Sequence, residues 1–168
     1  MDIIIDLKNY DNTAVVFKRI AARAIITKGN HYLLIYSKYG DYKFPGGGME
    51  LGEALEDTLI REVQEETGYR VIRDSIKECI QVLERRKGTK EELFEIESHY
   101  FFCEVEAEAG NQSLDQYEEE YEYRTTWMTL KEAIIRNSRM LDLEHCPWVT
   151  RDTRVMEQLM NRNVESRS

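Results

Sequence analysis

The sequence predicts an α/β (α+β) layered domain. Three observations lead there: β-rich runs arrive in pairs, one strongly patterned helix stands between the two pairs, and helical stretches close the chain. The first element, IIIDL (3–7), is a short strand, followed by the turn-like NYDN (9–12). RIAARAIITKGNHYLLIYSK (19–38) holds two β-rich runs around Gly29-Asn30, a hairpin signal. KYGDYKFPGGGMELGE (38–53) is glycine-rich and reads as a loop with at most a short strand. ALEDTLIREVQEET (54–67) is the clearest helix, and Gly68 is placed to end it. IKECIQVLERR (76–86) and FEIESHYFFCEVEAE (94–108) form a second strand pair across the polar loop KGTKEEL. GNQSLDQYEEEYEYR (110–124) is acidic and turn-rich at its start, and TTWMTL (125–130) begins a last strand. KEAIIRN (131–137) and TRDTRVMEQLMNR (150–162) read as helices. No repeat or linker divides the chain, so the expectation is one domain over 1–168, with an N-terminal strand extension (about 1–18) and C-terminal helices (about 131–162).

Composition narrows the function classes. A chain of 168 residues, 42% apolar and 33% charged, can bury a core without staples. No apolar run nears the ~20 residues of a membrane span. MDIIIDLKNYDN carries Asp2 and Asp6 around its apolar run and lacks the basic stretch that opens a signal peptide, which makes a cytoplasmic location the expectation. Cys79, Cys103 and Cys146 are widely spaced with no CxxC pair, so neither a zinc site nor a disulfide framework is expected, and Cys103 reads as packing. A net charge of −9 argues against broad nucleic-acid binding. It leaves room for a small phosphorylated ligand, provided a hard divalent cation stands between phosphate and carboxylates.

The helix at 54–67 carries the sharpest signal. At about 100° per residue, Leu55, Leu59 and Val63 form one inward stripe about 80° wide. Glu66 falls inside that stripe, Glu62 about 20° outside it and Glu65 about 80° outside. Glu62 and Glu66 therefore share a face, where two like charges repel. Glu65 and Glu66 also stand in the last turn, where the helix dipole disfavours negative charge by about 0.3–1 kcal/mol each. A solvated helix end is one reading of these residues; a bound divalent cation, which removes each penalty, is the other. The glycine-rich FPGGGMELGE enters the same helix and lets backbone approach a ligand.

These residues resemble the signature of the Nudix (MutT-like) hydrolase family, G-x5-E-x7-R-E-U-x-E-E-x-G-U with U bulky and apolar. Gly47, Glu53, Arg61-Glu62-Val63-Gln64-Glu65-Glu66 and Gly68 fit it without a gap, and Tyr69 takes the last U. Seven fixed identities at fixed spacing arise by chance about once in 10⁸ positions. Phe44-Pro45-Gly46-Gly47 also looks like the family's lead-in, and Trp127-Met128 before TLKEAI looks like its late strand-to-helix passage. The resemblance implies an α/β/α sandwich with a mixed sheet. It implies a hydrolase in which water attacks a phosphoanhydride of a nucleoside diphosphate linked to another moiety, aided by Mg²⁺ (or Mn²⁺). By the same analogy Glu62, Glu65 and Glu66 are metal ligands, joined by the Gly46 carbonyl, while Gly47, Glu53, Arg61 and Gly68 are structural, Arg61 and Glu53 orienting a glutamate. The base is a signature glutamate, Glu62 or Glu65, or an acidic residue of YEEEYEYR (117–124). Position before Trp127 favours Glu120 or Glu122 over Glu118 and Glu119.

Other residues carry less. Arg23, in a strand run, is a candidate for the substrate cleft. Tyr36, Tyr39, Tyr42 and Phe44 could stack on a base or sugar, or could be core; Phe44 is the substrate-binding candidate among them. His31, His99 and His145 are isolated from one another, and Arg85-Arg86-Lys87 reads as a solvated loop edge. The competing readings are a non-catalytic nucleotide-binding regulator on the same fold and an isopentenyl diphosphate isomerase; the complete set of signature carboxylates weighs against both. The markers of NADH, ADP-ribose and dinucleoside polyphosphate subgroups are missing, so oxidised nucleoside triphosphates, a nucleotide sugar and a capped RNA end stay open. The expected partner is a small-molecule nucleotide, with no membrane. The N-terminal strand could extend a sheet or swap into a homodimer.

Overall fold

Alternating apolar residues build two sheets between helices. A computed structural model of the chain describes residues 1–12, 15–88 and 92–165. Two residues of the N-terminal extension (13–14), three of the KGTKEEL loop (89–91) and 166–168 lie outside the described residues. In chain order the elements are β1 (Ile3–Asp6), β2 (Val16–Ile25), β3 (Thr27–Lys28), β4 (His31–Tyr36), β5 (Tyr42–Lys43), β6 (Gly46–Gly48), α1 (Leu55–Thr67), β7 (Lys77–Arg86), β8 (Leu93–Phe102), α2 (Gln116–Glu120), β9 (Arg124–Met128), α3 (Leu130–Ser138) and α4 (Val149–Glu165).

One sheet is mixed, in the order β1-β7-β8-β2-β6; β1 runs parallel to β7, β2 parallel to β8, and β7 antiparallel to β8. The N-terminal strand thus extends a sheet of its own chain. The second sheet holds β3, β4 and β5, with β9 antiparallel to β4. The turn at Gly29-Asn30 forms, but only Thr27–Lys28 of the preceding run pairs across it with β4. The rest of that run, β2, lies against β8 through Ile25. Its second half, from Ala21, is buried on both faces, which suits a central strand with a partner on each edge.

Helix α1 covers one side of the sheets. Leu59 and Val63 pack with Ala22, Ala24, Ile26, Leu33, Phe101 and Cys103, and the ring of Tyr69 meets Trp127 edge-on. Helices α3 and α4 cover the other, where Leu130, Ala133, Val155, Met156 and Leu159 meet Ile25, Leu34, Ile80, Val82 and Tyr100. This is the expected α/β/α sandwich. Gly68, at φ +76°, ends α1 by turning its N–H back to the Gln64 carbonyl at 2.8 Å. No helix among the described residues is long and apolar enough to cross a membrane.

The acidic run 110–124, expected to be turn-rich at its start, contains α2 beyond that start. Asp115 caps it: its carboxylate accepts the Glu118 N–H at 2.8 Å, and the Glu118 carboxylate accepts the Asp115 N–H at 2.9 Å. The D-x-x-E spacing of this capping box stands in the sequence as Asp115-Gln116-Tyr117-Glu118 and is the signal that reveals the helix.

Candidate active site

The amphipathic register of α1 decides where its carboxylates go. Glu66 follows Leu59 and Val63 into the interior and is 1% exposed; Glu62, at the stripe's edge, is 8% exposed. Two local devices keep Glu66 there. Its Oε2 accepts the Gly46 N–H at 2.7 Å, and the Lys43 ammonium lies 3.3 Å from its Oε1. Burial raises the Glu66 carboxyl above its usual range, with Lys43 opposing.

Arg61 organises the rest of the helix end. It grips Glu53 with two hydrogen bonds of 2.8 and 2.9 Å, and donates to Glu62 at 2.8 Å, to Glu65 at 3.2 Å and to the Gly48 carbonyl at 3.2 Å. That bidentate grip holds the Glu53 carboxyl down at about 2. One guanidinium therefore ties the glycine loop to two of the helix carboxylates, Glu62 and Glu65. Glu65 is the most open of the three signature carboxylates on α1, at the rim of the same cleft, and burial raises its carboxyl too.

Gly47 lies beneath Glu62, where a Cβ would sit 2.5 Å from a carboxylate oxygen. Gly47→Ala is expected to displace Glu62 while sparing the core, lowering turnover about 10- to 100-fold with little change in Tm. Steady-state kinetics beside thermal melting checks this.

Lys43 was not singled out by its sequence context, and alternation explains its place. Between Tyr42 and Phe44, which turn to the core, Lys43 faces the cleft with its ammonium 4.1 Å from the Tyr123 ring centre and 5.4 Å from that of Trp148. The same alternation corrects the expectation for Phe44. It is 0% exposed, its ring edge-on to Tyr100 and its N–H donated to Asp152 at 3.0 Å, so it is core and cannot touch a substrate in the cleft. Arg23 does line the cleft. It donates to the Gly46 carbonyl at 3.2 Å and to Ser98 at 3.3 Å, so that carbonyl is turned towards Arg23 while the Gly46 N–H holds Glu66. Burial and the neighbouring Arg151 lower the Arg23 pKa.

Helix α2 supplies a third carboxylate, and not the one expected. Glu118, fixed at the third helical position by its capping box, places a ligand oxygen so that those of Glu62, Glu66 and Glu118 all lie within 4.8 Å of one another. Burial, with Glu66 adding its charge, pushes the Glu118 carboxyl up to about 7. Glu120 is exposed and engaged by Gln116 at 3.2 Å; Glu122 is exposed, 4.0 Å from Arg124. Neither lines the cleft, because the single turn of α2 points Glu118 inward and its later residues outward.

The cleft, of about 840 Å³, runs from the carboxylates along the faces of β2 and β8 and is closed on one side by Tyr117, Tyr121, Tyr123 and Trp148. A family model described as the NUDIX domain matches residues 17–150. Over 67 residues the chain is 40% identical to an ADP-ribose pyrophosphatase of Methanocaldococcus jannaschii, covering 38% of each protein. Over 62 residues it is 37% identical to the nucleoside triphosphatase NudI of Escherichia fergusonii, covering 34% of the chain and 44% of that protein. Both matches thus span less than half the length of these curated relatives. A NUDIX hydrolase from Nitrosomonas europaea shares the fold, with a TM-score of 0.56 at 19% identity over 80% of this chain and 89% of that one. With the family model spanning most of its length and the signature carboxylates gathered in one cleft, the chain belongs to the NUDIX family.

Proposed function

We propose that the protein is a metal-dependent hydrolase that cleaves the phosphoanhydride of a nucleoside diphosphate linked to another moiety. The observation that carries this is the meeting of Glu62, Glu66 and Glu118, carboxylates from two separate helices, with oxygens within 4.8 Å in a cleft that also holds Arg23. Such a cluster is costly without a cation, and the donor set is all oxygen, which fits Mg²⁺ or Mn²⁺. The relative named an ADP-ribose pyrophosphatase fits the same substrate class, and the one named a nucleoside triphosphatase fits the same bond.

In this reading Glu62 and Glu66 hold the cation, with Glu65 as the outer ligand at the cleft rim. When bound, the cation supplies charge neutralisation at the diphosphate and lowers the pKa of a water. Arg61 and Glu53 keep Glu62 in place through the grip described above, and the Gly46 N–H does the same for Glu66. Arg23 and Lys43 meet the phosphate charge. Glu118, the one carboxylate of the cluster carried by α2, takes the proton of the attacking water.

The test is nucleotide and phosphate release from a panel of nucleoside diphosphate derivatives and nucleoside triphosphates, with Mg²⁺, with EDTA, and with Glu118→Gln. EDTA is expected to abolish turnover, and Glu118→Gln to lower kcat about 10²- to 10³-fold with KM little changed. A wild type that binds nucleotide and turns over nothing would put a nucleotide-binding regulator in the enzyme's place.

A further inference from the structure

The cleft does not end at the carboxylates. Residues 17, 19, 21 and 23 of β2 share one sheet face, and the strand register lays rungs across three strands: Phe17–Phe94–Arg86, Arg19–Ile96–Glu84, Ala21–Ser98–Val82 and Arg23–Tyr100–Ile80. Helix α4 covers the lower rungs, where Arg151 reaches Tyr100 and Glu84. The first rung projects beyond that cover. Phe17 is 49% exposed and stacks on Phe94 with ring centres 5.4 Å apart and planes 14° apart. The Arg86 guanidinium lies 5.2 Å from the Phe94 ring centre and is held there by Glu84 at 2.8 Å.

We infer that Phe17, backed by Phe94, is the platform on which the substrate's nucleobase stacks, with Arg19 on the adjoining phosphate or ribose. Three observations support the occupant. The platform opens into the same cleft as the carboxylates, so whatever covers it is joined to whatever is cleaved. Its distance fits: Gly48 pairs with Ala21 beside the carboxylates, and from Ala21 to Phe17 the strand covers about 13 Å, the order of a ribose with its diphosphate. Charge also fits. Arg19 has no carboxylate partner among the described residues, since Glu84 on its rung is taken by Arg86 and Arg151. The Arg19 guanidinium instead lies across Gly48, where a Cβ would stand 1.9 Å from its Nε. Aromatic faces beside a cation suit a base, because every base has a π-face. The tyrosine wall opposite is already occupied: Tyr121 packs on Tyr117, Tyr39 and Trp148, and Trp148 donates to Asp41 at 2.7 Å.

This inference rests on the carboxylates binding the diphosphate, and two probes keep the readings apart. Calorimetry with Mg²⁺ would compare α,β-methylene-ADP, which resists cleavage, with methylenediphosphonate, which lacks the nucleoside. Phe17→Ala and Phe94→Ala are expected to weaken the nucleotide about 10- to 100-fold and leave the diphosphonate unchanged. Phe17→Tyr should bind as wild type does, and Arg19→Gln should weaken the nucleotide. Phe17 is half exposed, so its loss spares the fold, which circular dichroism checks. Nucleotide binding untouched by either phenylalanine, equal weakening of both probes, or loss confined to Tyr117→Ala would each overturn the platform. A wild type that fails to bind the diphosphonate would instead remove the proposed function beneath it.

Discussion

Glu66→Gln is expected to cut turnover by at least about a thousandfold, the equivalent of about 4 kcal/mol of lost charge stabilisation. Glutamine keeps the shape and can still accept the Gly46 N–H, the bond that seats the side chain at 2.7 Å. What it removes is the negative charge, and with it the ligand to a cation and the partner of Lys43 at 3.3 Å. Stability should change far less. Burial already opposes the Glu66 charge, so the loss of its pairing with Lys43 is partly offset by relief of that penalty. A fall in kcat with nearly unchanged Tm is the expected pattern. Glu120→Gln, on the exposed side of α2, should leave kcat within about twofold of wild type, since a solvated carboxylate outside the cleft touches no reacting group.

Arg151→Met is expected to cost about 3–5 kcal/mol of folding stability, because it breaks a buried ionic network from one side only. Arg151 is 2% exposed and donates to Tyr100 at 3.1 Å, to Glu84 at 3.0 Å and to Asp152 at 2.8 Å. Burial works against its charge, but Asp152, Tyr100 and Glu84 together hold its pKa above the usual arginine value. Methionine would leave Glu84 with Arg86 alone and Asp152 with only the Phe44 N–H, both still buried. Urea unfolding should show a lower midpoint at unchanged slope. Arg151→Lys should recover only part of the loss, since an ammonium cannot reproduce the planar fork that serves three partners.

The helix period and the fixed spacing of its charges were enough to place Glu62 and Glu66 on one buried face, because the same Leu59 and Val63 that anchor α1 carry them inward. The layered α/β class was legible from the paired strands and the helices between and after them, whereas the α/β/α sandwich with a mixed sheet was implied by the resemblance to the Nudix signature. Three features were hidden. Phe44 was the substrate-binding candidate and Lys43, which faces the cleft, was not singled out, because nothing in a glycine-rich loop declares which alternate residue faces the core. Glu118 was passed over for Glu120 and Glu122, as position relative to Trp127 says nothing about the direction of a helical turn; the capping box does. The partition of residues 19–38 between two sheets depends on β8, far away in sequence, which local pattern cannot convey.

Manganese binding followed by electron paramagnetic resonance tests the central claim most directly, since it reads the cation and needs no substrate. Wild type is expected to bind Mn²⁺, Glu66→Gln to lose most of that affinity, Mg²⁺ to compete, and Glu120→Gln to bind as wild type does. A wild type that leaves Mn²⁺ free in solution, or a Glu66→Gln that binds it equally well, would contradict the assignment of these carboxylates to a metal.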